Sequence, residues 1–91
     1  DDTGPVAPRR FNAQQLSNLA SVSSAIECEC PQHLAQLVTD LSAFEIYSAN
    51  CVSLGDEDEA LHRYLHKTTA AARAMIEVAL ERVAKAENLE Y

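Results

Sequence analysis

EDEALHRYLHKTTAAARAMIEVALERVAKAE, residues 57–87, carries the strongest structural signal of the chain. Apolar positions recur along it every three or four residues, and neither proline nor glycine interrupts it. This pattern is typical of a long amphipathic helix. The positions that form the stripe are Leu61, Tyr64, Leu65, Thr68, Ala72, Met75, Ile76, Ala79, Leu80 and Val83. The acidic run 56–59 favours a helix start there, because the helix dipole is positive at its N-terminal end.

A second helix is predicted for residues 31–52. Pro31 suits the first helical position, where its missing N–H would have no partner inside the helix, and Cys30 is then the expected cap residue. The helix ends before Gly55, which interrupts the pattern. Its apolar face is traced by Leu34, Leu37, Val38, Leu41, Phe44 and Ser48.

A shorter first helix is predicted for residues 12–25. Asn12 and Gln15 stand three residues apart, which is the spacing of a capping box. Phe11 and Leu16 occupy the flanking positions of a hydrophobic staple, which fixes the direction in which the chain enters the helix. Residues 11–91 are therefore expected to form a single helical domain.

The predicted architecture is all-α. Residues 31–52 and 57–87 are expected to form an antiparallel hairpin, with the helix of residues 12–25 completing a three-helix bundle. At 1.5 Å per residue the long helix spans about 45 Å, against about 33 Å and about 21 Å for the others. An uncovered apolar end usually marks a subunit contact. We therefore expect a homodimer whose interface includes Ile76, Leu80 and Val83.

The first ten residues, DDTGPVAPRR, show no periodic apolar pattern and hold two of the three prolines. This composition is typical of a flexible linker. We expect residues 1–10 to connect the helical domain to an upstream domain that this segment lacks.

Charge and composition exclude several classes of function. The net charge is −7, with seven Lys and Arg residues spread along 91 positions, so direct binding to nucleic acid is not expected. No apolar run approaches the roughly 20 residues of a membrane span, and no signal peptide is apparent. Three cysteines cannot all pair within one chain. These features favour a cytoplasmic protein.

ECECPQHLAQL, residues 27–37, raises the possibility of a metal site formed by Cys28, Cys30 and His33. Thiols and imidazoles are good zinc ligands, but the spacing is not that of a known zinc module. A redox pair is the next alternative, because a helix N-terminus lowers the pKa of a thiol. The plainer interpretation is that Cys30 caps a helix, Cys28 is a small buried hydrophobe and His33 is partly exposed.

A second candidate metal cluster is formed by Cys51, His62 and His66. Across an antiparallel hairpin Cys51 would approach the start of the long helix, where the two histidines stand four residues apart on one face. Glu45 or Glu59 would supply an additional oxygen ligand. The plainer interpretation is a buried Cys51 beside partly exposed histidines. If a cofactor is bound at either cluster we expect a metal ion such as zinc, and none in this domain is the more economical expectation.

Glu45 lies on the apolar stripe of the second helix, between Leu41 and Ser48. A carboxylate at such a position requires a partner, because burying an unpaired charge is costly. We expect it to face the region of His66 or Thr69 and to form an ion pair or hydrogen bond. The alternative is a carboxylate that contacts a ligand inside the bundle.

The sequence offers no catalytic arrangement. It shows no Ser/His/Asp set, no phosphate-binding glycine loop and no paired carboxylates at a plausible separation. We therefore expect no enzymatic activity.

Three stretches of the chain resemble the C-terminal helical module of bacterial MerR-like transcription regulators. They are CECPQHLAQLV, LSAFEIYSANC and ALHRYLHKTTAAARAMIEVAL, at residues 28–38, 41–51 and 60–80. The resemblance covers about residues 9–88 and implies a dimeric regulator in which an upstream winged helix-turn-helix domain binds DNA. Some relatives sense cobalamin through a tryptophan and a Glu-His pair, and this sequence has neither. Metal-sensing relatives carry cysteines near the dimer interface, which favours a role for Cys28 and Cys30.

Two functional hypotheses follow. The first is a non-catalytic domain for dimerisation and for sensing a small-molecule or metal effector, within a bacterial transcription regulator. The second is a metal- or redox-binding helical protein in which the Cys/His cluster is itself the functional site.

Overall fold

The computed structural model describes residues 4–22 and 28–91 of the chain, and every regular element in that part is a helix. Helix α1 covers Ala13–Ala20, α2 covers Cys30–Asn50 and α3 covers Asp56–Ala86. The all-α prediction is therefore confirmed. None of these three helices combines the length and apolar character that crossing a bilayer requires.

The start of α1 follows the capping box expected from the sequence. The Asn12 side chain accepts a hydrogen bond from the Gln15 N–H, and the Gln15 side chain accepts one from the Asn12 N–H, both at 2.8 Å. Phe11 and Leu16 are both buried in the same core cluster, as expected for a hydrophobic staple. This reciprocal pairing satisfies N–H groups that have no partner inside the helix.

Helix α1 ends earlier than predicted, at Ala20 rather than near residue 25. The Ser21 N–H closes the helix by bonding to the carbonyl oxygens of Ser17 and Asn18. The last residues of the predicted helix, 23–25, lie outside the described residues.

Helix α2 begins one residue before the predicted position. Glu29 is the cap residue, Cys30 is the first helical residue and Pro31 is the second. The first-turn hydrogen bond runs from the His33 N–H to the Glu29 carbonyl at 3.1 Å. The prediction that Cys30 caps the helix is therefore wrong, because the helical hydrogen bonding already includes Glu29.

Helix α3 begins at a glycine and four acidic residues. Gly55 has a φ of 132° and a ψ of −179°, a conformation that is essentially restricted to glycine. The following residues, 56–59, are all acidic and stabilise the helix start through the dipole. Asp58 also accepts a hydrogen bond from the Leu54 N–H at 2.9 Å, which ties the preceding loop to the first turn.

The end of α3 is a Schellman motif with asparagine in the left-handed position. Asn88 has a φ of 54°. Its N–H bonds to the Lys85 carbonyl at 3.2 Å, and the Leu89 N–H bonds to the Ala84 carbonyl at 2.8 Å. Leu89 then packs against the hydrophobic core. This is the hydrogen-bond pattern and the apolar contact that define the motif.

Helix α2 packs along α3, and α1 packs against α2. The buried core cluster takes side chains from all three helices and from Phe11, which precedes α1; its members are Phe11, Leu16, Leu19, Ala35, Val38, Leu80 and Ala84. Leu80 is completely buried within one chain. The expectation that this end of α3 is uncovered therefore fails for Leu80, because it lies inside the core cluster, against which Leu89 also packs.

Candidate functional site

Arg73 is the largest side chain that is fully buried, with an exposed fraction of 0%. Its guanidinium has five N–H donors, and each has an acceptor. Nε and Nη2 bond to the two oxygens of Glu45 at 3.0 and 3.2 Å, and Nη1 bonds to Glu77 at 2.8 Å. The remaining two donors bond to the carbonyl oxygens of Ala7 at 2.7 Å and Pro8 at 3.2 Å. The group of Glu45, Arg73 and Glu77 is named the arginine cluster below.

The structure confirms that Glu45 forms an ion pair, and its partner is Arg73 rather than His66 or Thr69. Burial alone would raise the pKa of Glu45. The hydrogen bonds and charge of Arg73, followed by the charges of Arg9 and His66, outweigh burial and hold this pKa below its ordinary value. His66 instead contacts the backbone of Glu45, with 2.9 Å between Nδ1 and the carbonyl oxygen.

Residues 4–10, named the N-terminal segment below, lie against α3. Lys67 Nζ donates to the carbonyl oxygens of Gly4 at 2.9 Å and Pro5 at 3.0 Å. Arg73 donates to two further carbonyls of the segment, those of Ala7 and Pro8. The part of the predicted linker that the structure describes is thus hydrogen-bonded to the helical domain through its backbone.

The end of the N-terminal segment is held by opposite charges. The Arg10 N–H donates to Glu77 Oε2 at 2.9 Å, and its guanidinium bonds to Glu81 at 2.9 Å. Arg9 donates to Ser42 at 2.7 Å and lies 3.6 Å from a Glu45 oxygen. Arg9 therefore adds positive charge beside the arginine cluster, in which two carboxylates face one guanidinium, whereas the charge of Arg10 is paired with Glu81.

Cys28, Cys30 and His33, named the thiol motif below, lie on the surface. Both thiols are exposed and neither forms a disulfide. Hydrogen bonding to the Cys28 thiol, and then its charge, raise the pKa of Cys30, which is opposite to the shift expected at a helix N-terminus. His33 Nε2 lies 3.3 Å from a Glu29 oxygen on the same helix. The interpretation of Cys28 as a small buried hydrophobe is therefore wrong, because its side chain is exposed.

Cys51, His62 and His66 line one cleft, of about 280 Å³, at the α2–α3 loop. His66 Nδ1 must carry its proton, because the Glu45 carbonyl can only accept. His62 Nδ1 lies 3.1 Å from the Ser53 hydroxyl, and Nε2 lies 3.6 Å from Asp58. Glu59 also lines the cleft, but its carboxylate is bonded to Arg63 at 3.0 Å. These residues are named the histidine cleft.

The structure thus places both candidate metal clusters in the described part of the chain. Among residues 4–22 and 28–91, no group of three or more His, Cys, Asp or Glu side chains is arranged to hold a metal ion. Metal binding at Cys28, Cys30 and His33, or at Cys51, His62 and His66, stays a prediction.

The side of the α2–α3 pair that faces away from the N-terminal segment is apolar. On α2, Ser42 contacts the segment, and on α3, Glu81 does. Phe44 and Val83 each lie two residues further along their helix, which turns their side chains about 160° away from the segment. We name this surface the open face. Its exposed members are Leu37, Phe44, Leu61 and Met75, and its half-buried members are Leu34, Leu41, Leu65, Ala72, Ile76 and Val83.

Two of the three predicted interface residues, Ile76 and Val83, lie half-buried on the open face, whereas Leu80 does not. The residue that sequence reasoning missed is Arg73. Arg73 could have been found by the argument that singled out Glu45, because it places a charge between the apolar positions Ala72 and Ile76.

Comparison with protein-family models, curated proteins and solved structures gives no match for this chain.

Proposed function

We propose that this chain is a non-catalytic dimerisation and effector-sensing domain of a bacterial transcription regulator, with DNA binding in an upstream domain. The observation that carries the dimerisation part is the open face, an apolar surface that runs along both long helices. The MerR-like resemblance of residues 28–38, 41–51 and 60–80 carries the regulatory part. The net charge of −7 supports placing DNA contact outside this segment.

The proposed architecture is an antiparallel hairpin of α2 and α3 with α1 completing a three-helix bundle. Two contacts to the first half of α3 support it: Glu45, late in α2, contacts His66, and Ser53, in the loop after α2, contacts His62. Two such hairpins that meet through the open face would bury it in a four-helix arrangement. Leu80 is left out of the proposed interface because it is buried within its own chain.

Sedimentation at several protein concentrations tests the dimer. The unmodified chain should sediment as a dimer, and Phe44→Lys or Met75→Lys should shift it towards monomer, because a lysine within an apolar contact is left unpaired. Leu54→Lys is the matched control, since Leu54 is 90% exposed and lies in the loop before α3. A monomer at all concentrations would contradict the proposal.

A second candidate function is metal binding, and the observation that favours it is the shared cleft of Cys51, His62 and His66. Zinc binding at either Cys/His cluster would make the domain a metal-responsive or metal-storing module instead. Equilibrium dialysis against zinc distinguishes the two. Stoichiometric retention that Cys51→Ser abolishes would favour the histidine cleft, and retention lost in Cys30→Ser would favour the thiol motif.

A further inference from the structure

We propose that Lys67, Arg73, Glu77 and Glu81 form a recognition groove for an extended Pro-x-x-Pro-Arg-Arg peptide. In this structure the groove is occupied in cis by the chain's own N-terminal segment, GPVAPRR. The inference does not depend on dimerisation, because the groove lies on the side of the helices opposite to the open face.

Recognition is directed mainly at the backbone of the segment. Lys67 and Arg73 together donate to four of its carbonyl oxygens, and Glu77 accepts from one of its N–H groups. Arg73 is fully buried, and two of its five N–H donors find their acceptors only in the segment. Without an extended peptide in the groove those two donors would need other partners, because an unpaired buried donor is costly. The groove thus offers two directed N–H donors to the backbone of an extended peptide.

The prolines of the segment suit this mode of binding. Pro5 and Pro8 have no N–H, so they present only carbonyl oxygens to a groove that offers donors at this end. Proline also restricts the free peptide to extended conformations, so less conformational entropy is lost on binding. The spacing Pro-x-x-Pro places both carbonyls on the row that Lys67 and Arg73 contact.

Charge determines which peptide fits. The groove presents the carboxylates of Glu45, Glu77 and Glu81 around the single buried guanidinium of Arg73. Arg9 lies 3.6 Å from Glu45, and Arg10 bonds to Glu81 at 2.9 Å. A peptide that ends in two basic residues is therefore matched to the groove, and one that ends in an acidic residue is repelled by it.

The covalent connection of the segment to α1 explains how the groove is filled in the isolated chain. A tethered ligand competes at an effective concentration on the order of millimolar. An added peptide of the same sequence should consequently bind weakly to the unmodified chain and more tightly when the cis segment is weakened. This difference is the basis of the test.

The experiment measures fluorescence anisotropy of a labelled GPVAPRR peptide with the full chain. Arg10→Glu places a third carboxylate beside Glu77 and Glu81 and should displace the cis segment. The peptide should bind this variant at least about tenfold more tightly than it binds the unmodified chain. The same peptide with glutamate in its last position should bind neither protein.

Arg63→Glu is the matched control. It makes the same change of charge at an exposed residue of α3, one that pairs with Glu59 near the α2–α3 loop, and it should leave peptide binding unchanged. Equal binding to Arg10→Glu and to the unmodified chain, with both helical by circular dichroism, would overturn the proposal. Equal binding of the peptide that ends in glutamate would also overturn it.

A second measurement covers the case in which Arg10→Glu does not fold. Excess unlabelled peptide is added to the ¹⁵N-labelled unmodified chain, and its NMR amide spectrum is followed. Displacement of the segment should move the Arg10 amide resonance to the position typical of a disordered chain, while the amides of α2 stay in place. An Arg10 resonance that does not move at several millimolar peptide would contradict an exchangeable occupant.

Discussion

The arginine cluster and the thiol motif differ in burial and in contacts, and the difference is the reverse of what the reactivity of their side chains would suggest. Cys28, Cys30 and His33 carry reactive side chains, yet they lie exposed, and their described contacts are local, between near neighbours in sequence. Arg73 and Glu45 are ordinary charged residues, yet they are buried and joined across two helices by hydrogen bonds at 3.0 and 3.2 Å. Burial and bonding partners, rather than the reactivity of a side chain, should therefore determine which substitutions destabilise this molecule.

The largest expected effect is the loss of Arg73. Arg73→Met should lower the free energy of unfolding by about 3–5 kcal/mol, because it removes the buried counter-charge shared by the carboxylates of Glu45 and Glu77 and leaves only the more distant, partly exposed Arg9 beside Glu45. Urea denaturation measures it. Arg63→Met is the matched control and should cost about 1 kcal/mol or less, since the Arg63–Glu59 pair is exposed. Similar losses in the two variants would remove the distinction between buried and exposed charge.

A triple substitution tests whether the loss in Arg73→Met comes from uncompensated charge. Glu45→Leu, Glu77→Leu and Arg73→Met together should recover much of the stability lost in Arg73→Met alone, to within about 2 kcal/mol of the unmodified chain. Apolar residues of similar size can replace a buried ion cluster at little cost. The recovery is incomplete because the carbonyls of Ala7 and Pro8 lose their donor. A triple variant less stable than Arg73→Met would show that the cluster stabilises the fold by more than charge compensation.

Acid should weaken the arginine cluster. The pKa of Glu45 is held below its ordinary value of 4.5, so its contribution to stability is present above that value and is lost as the pH falls through the pKa of the folded state. The midpoint of urea denaturation should therefore fall as the pH decreases below about 4.5. The decrease should be smaller in Glu45→Gln, which has no carboxyl group to protonate at this position. An equal decrease in the two proteins would assign the acid sensitivity to other groups.

The smallest effect is expected at the thiol motif. Cys28→Ser and Cys30→Ser should each change the free energy of unfolding by no more than about 0.5 kcal/mol, because both side chains are exposed. Thermal melts with and without a chelator provide the measurement. If chelator lowers the melting temperature of the unmodified chain, and Cys30→Ser lowers it to the same value, the thiol motif would instead be a structural metal site.

Local sequence patterns are sufficient to predict the three helices and most of their ends to within one or two residues. The capping box of Asn12 and Gln15, the proline in the first turn of α2 and the acidic start of α3 all act within a few residues, so their effects can be read from local spacing. The end of α1 at Ala20 was missed, because the apolar spacing continues beyond the residue at which the hydrogen bonding stops. The need of Glu45 for a partner was also apparent from its place on an apolar face.

Which residues contact one another across the fold depends on how the helices pack. The arginine cluster joins positions 28 residues apart, and its contacts to Ala7 and Pro8 span 66 and 65 residues. Such contacts depend on how far α2 and α3 are rotated about their axes, which helical periodicity does not determine. The same rotation buries Leu80 and leaves Met75 74% exposed, although both lie on the predicted apolar stripe. A local pattern determines that a residue is helical, whereas the packing of neighbouring elements determines whether it is buried.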